Sequence, residues 1–546
     1  MARSSSHTTL ASDGSHSPSE EDGKGKDHAD DGIPQVQLLP IRAPTGRRLS
    51  VLACYLVQFA LNVAMNGWMF EMPSAFVPEH LRSALGFPTW VTGVLFSSFT
   101  CCQFIGSISA PSLASKHGRL MVLYIATLVY SITTVCVGWS GSLATARPLE
   151  VLFLLFLFGT VMSLCAGINM VLSFAVIFER VPGYENRTSG IRLLSYLGGG
   201  IFGVVVGGGL YDIGGMYLPY TVAGAFIFAD LVLMNWVFGS PLAARRVQRP
   251  FSVREIDHSS MMATTPSSHE QEDHDDTSSE ADALLGAQES GSLQLSPFLP
   301  HAYSEYDSSR FVVSDVPYVL MALLMAGSAL GFVQPLLAEH ITTMLGLQKS
   351  VEVGMVFAVL LTSVMLSSLL VGSHADRGYE WPCLLTALFV LFAAFLLVGP
   401  WSLLMGALDK LTYALGFTSW IKRVNVYLRG VWVSLLSSLV CLGAGLALCI
   451  VPGLPILIKA LRTKTHLDKM QVSNTASMYE NASISLGAAI GAFVGGFLVQ
   501  SVGFSNAAVI YAIVYLSVGC AIHSYFHRYR QTTGGSAMMC SEADDR

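Results

Sequence analysis

The sequence predicts an all-α membrane protein that crosses the bilayer twelve times, in two groups of six helices. Three observations carry that reading. Of 546 residues, 52% are hydrophobic and 12% charged, against about 25% charged in soluble globular chains. The apolar residues gather into runs of roughly 19–25, long enough to cross a hydrocarbon layer. The runs fall into two sets of six, with a long polar stretch between them.

Residues 1–48 are polar, acidic and serine-rich, lack the apolar core of a cleavable signal peptide, and read as a disordered cytoplasmic tail. The first half, 49–239, carries apolar runs at 52–76, 89–110, 120–140, 149–172, 191–212 and 218–239. Lipid offers no partner to backbone N–H and C=O groups, so each run is expected to be a helix. The alternating strands of about ten residues that build membrane barrels do not occur. Residues 240–313, with stretches such as "SSHEQEDHDDTSSEADALL", hold too little apolar content to fold and read as a disordered cytoplasmic linker. The second half, 314–527, carries runs at 315–338, 353–372, 382–400, 431–453, 474–499 and 506–527, with an insertion at 403–429. Residues 528–546 form a second cytoplasmic tail.

Lys and Arg accumulate on one set of loops (Arg47, Arg48, Lys116, Arg119, Arg245, Arg462, Arg528) and thin out on the other (Arg82, Arg147, Lys349). Basic residues mark the cytoplasmic flanks of membrane spans, so both termini are expected inside. The ten cysteines sit mostly within the runs, make no CxxC, and read as small packing residues. No GxxxxGK[ST] loop is present for ATP. Neither an enzyme nor a nucleic-acid binder is indicated, and no metal or cofactor is expected.

The two halves repeat. Gly199, Gly203 and Gly207 recur 288 residues later as Gly487, Gly491 and Gly495, and Gly215 recurs as Gly503. Small residues four apart on a helix let a neighbour approach closely. "ASKHGR" (114–119) and "ADRG" (375–378) each follow the second run of their half. A doubled six-helix unit points to a transporter with its site between the halves.

These features resemble the major facilitator superfamily. "ADRG", preceded by Gly372, is similar to the family's Gly-x-x-x-Asp-Arg loop; the first-half copy keeps Gly118 and Arg119 but has Ser115 at the usual Asp position. The chain also resembles the vesicular polyamine transporter branch of solute carrier family 18, through "GFVQPLL" (331–337), "LVGPW" (397–401), "CIVPGLPIL" (449–457), "GAFVGGFLVQSVGF" (491–504) and "FGVVVGGGLYDIGG" (202–215). The resemblance implies the major facilitator fold and a cytoplasmic gate at Gly118, Arg119, Asp376 and Arg377. It also departs from the pattern: Gln334 stands where that branch has an acid, Val204 and Ala492 replace prolines, and Asn66 falls where vesicular amine transporters carry an Asp.

Charged groups are costly inside a membrane and usually face the bundle interior. Three acids lie within the runs, Glu71, Asp230 and Glu480; no Lys or Arg lies deep in any run, and Arg192 sits at an edge. A cavity so lined prefers cations. Glu480 shares a helix face with Gly487 and Gly491, so it points into protein. A carboxyl buried there without a cation would exchange its proton near neutral pH, although a hydrogen-bonded structural role is the alternative. Asp230 favours the structural role; Glu71 serves either coupling or contact with interfacial water. Gln334 contacts substrate or caps carbonyls freed by Pro335. Gln58, Asn62, Asn66 and Asn169 are candidate neutral contacts.

In the linker, Glu280, Leu284 and Leu285 fit an acidic dileucine address, which would recruit sorting adaptors to an endolysosomal membrane. The expected function is secondary active transport by alternating access: proton-coupled exchange of an organic cation, a polyamine or monoamine, into an acidic compartment. An endolysosomal or secretory vesicle membrane is favoured over the plasma membrane. The alternatives are a uniporter or symporter of a neutral solute, or a transporter-derived receptor or scaffold.

Overall fold

In the computed structural model all twelve apolar runs are helices. It describes residues 45–142, 147–180, 185–239, 316–347, 349–375, 377, 379–399, 431–464 and 469–544. The linker, the insertion at 403–429, Asp376 and the dileucine residues Glu280, Leu284 and Leu285 lie outside the described residues, as does the tail up to residue 44. The chain divides into Met1–Leu49 and Ser50–Arg546. The first unit contributes only the start of one helix; the rest belongs to the second.

The first half contains α1 (Thr45–Glu71), α2 (Thr89–His117), α3 (Arg119–Ser142), α4 (Pro148–Arg180), α5 (Glu185–Gly214) and α6 (Tyr217–Phe238). The second contains α7 (Val316–Leu345), α8 (Ser350–Ala375), α9 (Glu380–Val398), α10 (Val431–Lys464), α11 (Lys469–Val502) and α12 (Phe504–Asp544). Among the described residues there is no strand. Among the described residues, eleven helices are long and apolar enough to cross a membrane. The remaining helix, α1, carries Gln58, Asn62 and Asn66 within its apolar run. Large apolar side chains such as Ile132, Phe153 and Trp236 are exposed on the outside of the bundle, as a lipid-facing surface requires.

Two boundaries depart from the sequence expectation. The first helix ends at Glu71 rather than 76, and a 3₁₀ turn, Met72–Ala75, follows with Pro73 near its start. Proline has no N–H to continue the helical ladder, so the chain tightens there and Glu71 becomes the last residue of α1. Conversely, α10 runs through Pro452 and Pro455 as far as Lys464. Likewise α7 stays helical across Pro335, so the chain does not break beside Gln334. Membrane helices tolerate such prolines because neighbouring groups satisfy the freed carbonyls.

The repeat is visible in how the helices touch. A Cβ at Gly199 would overlap the Ala64 carbonyl, and one at Gly203 would meet that of Trp68, which holds α5 against α1 backbone to backbone. In the second half, Gly487 and Gly491 abut the Leu324 and Ser328 carbonyls of α7, while Gly327 and Gly331 of α7 abut those of Ile484 and Ala488. Further along, Gly207 meets Met72 and Gly495 meets Phe332. The halves meet through a matched pair of seams: Gly93 of α2 lies on the Ala492 carbonyl of α11, and Gly354 of α8 lies on the Val204 carbonyl of α5. The chain leaves α5 and α11 through the equivalent residues Gly215 and Gly503, at φ 68° and 81°, a left-handed conformation that only glycine adopts cheaply.

Gly491→Ala should therefore force α7 and α11 apart, at a cost of about 1–3 kcal/mol or more by overpacking. Thermal melting in detergent should show a lower midpoint and a reduced yield. Gly198→Ala, where a Cβ meets nothing within 4 Å, should leave both unchanged.

Candidate functional site

Within the first half lies a small cavity of about 40 Å³, walled by α1 to α5 and touched from the second half by Gln334 of α7. Its polar groups include Asn66, Gln103 and Gln334, and its apolar wall includes Phe96, Phe99 and Tyr130. No charged side chain lines it. Asn66 donates through Nδ2 to the Asn62 carbonyl (2.8 Å), which fixes the amide and leaves Oδ1 facing inward. That oxygen is buried without a partner, whereas the Gln334 amide lies beside the Glu71 carboxyl. Buried polar atoms are nearly always bonded, so an orphan on the cavity wall marks where a ligand or water belongs.

The three membrane acids have three different surroundings. Glu480 of α11 forms an ion pair with Arg192 of α5 at 3.0 Å, and the guanidinium also stacks over the Phe174 ring, 4.6 Å from its centre. This corrects the expectation that Glu480 lacks a cationic partner. Arg192 is the second residue of the run at 191–212, and its long side chain reaches inward to the carboxylate. Glu480 therefore does not stand alone as expected, and the pair joins the two halves. Beside it, Asn481 donates to Ser107 Oγ of α2 (2.8 Å); an asparagine so buried is no glycosylation acceptor.

Asp230 of α6 is buried and accepts hydrogen bonds from Gln58 Nε2 (2.8 Å) and Asn62 Nδ2 (2.9 Å) of α1. Asn62 Oδ1 in turn accepts from Ser173 Oγ of α4 (2.6 Å), which also contacts Asn169. The four neutral residues Gln58, Asn62, Asn66 and Asn169 thus share one network running from Asp230 to the cavity edge.

Glu71 is the third acid, 2% exposed. It does not line the cavity but adjoins Gln334, which does. Its side chain also lies against Gly200 of α5, next to Leu361 of α8, so it occupies a junction of the two halves. Among the described residues no Lys or Arg pairs with it.

The halves also touch at the other end of the bundle. Glu339 of α7 accepts from Arg82 and from Thr89, each at 2.8 Å. Asp212 of α5 caps α8 by accepting from the N–H groups of Ser350 (2.9 Å) and Val351 (3.1 Å), a favoured place for a carboxylate. The halves are thus in polar contact at both ends of the bundle. Of the gate residues, Gly118 forms the single-residue turn between α2 and α3 at φ 88°, and Arg119 begins α3. Arg377 is exposed, its N–H bonded to the His374 carbonyl (3.1 Å).

Sequence reading missed Gln103, Thr100, Ser163, Tyr130 and Tyr196 as cavity groups. Each is a single polar or aromatic residue within an apolar run, a signal that does not tell an inward face from a lipid face. Asp212 and Glu339 were also missed, because acids at helix ends are common.

The family model of the Major Facilitator Superfamily matches residues 59–448. The chain belongs to the Major Facilitator Superfamily. No curated protein matches the sequence. Among solved superfamily structures, the xylose transporter XylE from E. coli, in a partially occluded inward-open conformation, is 11% identical; the match covers 87% of this chain and 99% of that one, with a TM-score of 0.56. The nucleoside transporter NupG is 12% identical over 87% of this chain and 99% of that one, with a TM-score of 0.51. Such likenesses establish the fold alone. As a superfamily member the chain is an integral, multi-pass membrane transporter, and the fold is not that of an enzyme.

The Arg192–Glu480 pair gives a direct test. Arg192→Glu places two carboxylates together and should cost stability, since breaking a buried pair costs about 3–5 kcal/mol. The exchanged double variant Arg192→Glu/Glu480→Arg should recover most of the melting temperature in detergent. No recovery would mean that the two side chains act separately.

Proposed function

We propose that this transporter exchanges protons for a small organic cation, a polyamine or monoamine, by opening its cavity alternately to the two membrane faces. The observation that carries the reading is Glu71: a buried carboxyl without a basic partner among the described residues, beside a cavity residue and at the junction of the halves. A carboxyl so placed can hold a proton when the cavity is empty and release it when a cation arrives. The proton-exchanging role expected for Glu480 therefore passes to Glu71. The lining of the cavity suits such a cargo, and the cavity, about 40 Å³ in this arrangement, must widen to admit one. It has no basic side chain to repel a cation, a free acceptor at Asn66 Oδ1, and aromatic faces at Phe96, Phe99 and Tyr130 that attract one. The resemblance of "GFVQPLL" and "CIVPGLPIL" to the vesicular polyamine branch points the same way.

In this reading Gly118, Arg119, Asp376 and Arg377 brace the cytoplasmic gate, and both termini are cytoplasmic. Glu280, Leu284 and Leu285 direct the protein to vesicle membranes through sorting adaptors. A second reading, transport of an uncharged polar solute, is favoured by one observation: the cavity wall itself carries amides and hydroxyls but no carboxylate.

Uptake into proteoliposomes separates these readings, with labelled polyamines, monoamines and neutral sugars offered with and without an imposed pH gradient. Cation uptake driven by the gradient, reduced to background in Glu71→Gln while exchange of labelled for unlabelled cargo persists, is the expected result. Sugar uptake that ignores Glu71→Gln would favour the second reading. Ligand binding without any flux would make the protein a receptor.

A further inference from the structure

The mechanism above leaves one buried carboxyl unused, and its surroundings are unequal in an informative way. Asp230 is 6% exposed and Gln58 2% exposed. Among the described residues the carboxylate has two amide donors and no cation paired with it. One donor has both its amide atoms engaged: Asn62 presents Nδ2 to Asp230, and its Oδ1 lies 2.6 Å from Ser173 Oγ. The other does not. Gln58 presents Nε2 to Asp230, while its Oε1 is buried without any partner. A carboxylate built only to stay ionised would have both donors anchored, since an unpartnered buried amide oxygen is a continuing cost.

We infer that Asp230 is a second proton-binding carboxyl, and that Gln58 is an amide switch serving it in both charge states. When Asp230 is ionised, Nε2 of Gln58 and Nδ2 of Asn62 each donate to one oxygen, as charge-assisted bonds. When a proton from solvent adds to Asp230 Oδ1, the new O–H needs an acceptor. Turning the Gln58 amide over supplies Oε1 and breaks no other bond, because Oε1 had none. Asn62 stays in place as donor to the second oxygen. The reverse turn accompanies loss of the proton to solvent.

The remaining titratable and charged groups on the helices around Asp230 are engaged elsewhere or lie far along the helix. Tyr124 of α3 donates to the Gly239 carbonyl (3.1 Å), and Tyr130 of α3 and Tyr196 of α5 line the cavity. Arg192 of α5 pairs with Glu480. Tyr55 of α1 stacks on Phe238, and Glu71 terminates α1. On α4, Cys165 is packed in the apolar core, and Glu150 lies in the first turn.

The charge state of Asp230 is transmitted along one face of α1. Gln58, Asn62 and Asn66 are spaced by four, so they line one side of the helix, and Asn66 bonds to the Asn62 carbonyl while lining the cavity. A proton at Asp230 thereby alters the hold on α1 two turns from the substrate site. This inference rests on the chain being a transporter, not on its cargo being a cation.

Infrared difference spectroscopy on the full-length protein in lipid nanodiscs, titrated from alkaline to acid pH, reads the proposal without transport. On acidification a C=O band of a buried protonated carboxyl should appear in Glu71→Gln, which removes the other proton-binding carboxyl, and be absent from the double variant Glu71→Gln/Asp230→Asn. In Gln58→Met, which fills the space but offers no amide oxygen, the band should persist at a shifted frequency because the O–H has lost its acceptor. Aspartate-specific ¹³C labelling of the wild type identifies the band should the double variant fail to fold. Absence of any titrating buried aspartate band overturns the proposal, and an unshifted band in Gln58→Met overturns the switch. A titrating Asp230 band in a protein without pH-driven uptake would defeat the exchange reading alone.

Discussion

Close approach of backbones at glycine is the constraint on which the rest of this structure depends. In lipid, association of apolar helices gains little from removing water, so it relies on packing and on polar contacts. Here α5 sits on α1 and α11 on α7 with carbonyl oxygens where side chains would otherwise stand. Those contacts fix the helices in register to within one residue. The seams between the halves, Gly93 on Ala492 and Gly354 on Val204, use the same device. Contacts of this kind involve no buried charge, so they can part and re-form without stripping water from an ion, which suits a surface that must open in every cycle.

Register then decides which polar groups find partners. Asn62, Ser173 and Asn169 close on one another, and Asn481 finds Ser107 across the halves. Among the described residues some buried polar atoms are left over: Asn66 Oδ1 faces the cavity and Gln58 Oε1 belongs to the amide bonded to Asp230, while Trp68 Nε1, Glu79 Oε2 and His80 Nε2 lie away from both. In an interior where unpaired polar atoms are expensive, the one on the cavity wall is where a ligand would gain most. At the two ends, different chemistry closes the bundle. One end uses the Arg192–Glu480 pair; the other uses Asp212 on the α8 N-terminus and Glu339 with Arg82 and Thr89.

Much of the fold was legible because membrane insertion imposes long apolar runs, and because the glycines at 199, 203 and 207 recur at 487, 491 and 495. The site was less legible. Asn66 and Gln334 stood out as polar residues in apolar runs, and both reach the cavity. Tyr130 and Tyr196 did not, since an aromatic residue in such a run is equally at home against lipid. Glu480 shows the limit most clearly. Its helix face was predictable from the glycine spacing, but its partner was not, because Arg192 lies 288 residues away on another helix. Whether an acid is paired depends on contacts across the bundle, which periodicity along one helix does not encode.

That separation of 288 residues is itself informative, because it equals the spacing of the repeat. Arg192 and Glu480 occupy the same position in the two halves, as Gly199 does with Gly487 and Gly215 with Gly503. Two groups related by an internal two-fold axis can touch only where that axis passes between them. The ion pair therefore marks the axis at its end of the bundle. Identical residues would fare badly there: two arginines or two glutamates at 3.0 Å would repel strongly in a low-dielectric interior. Divergence of the halves into opposite charges converts the worst position for a symmetric pair into an attractive one. The same reasoning explains why the neighbouring contact is unlike its counterpart. Asn481 bonds to Ser107, whereas the equivalent residue in the first half, Leu193, has no polar group to offer. The halves share a backbone plan, and side chains that break the symmetry hold them together near its axis.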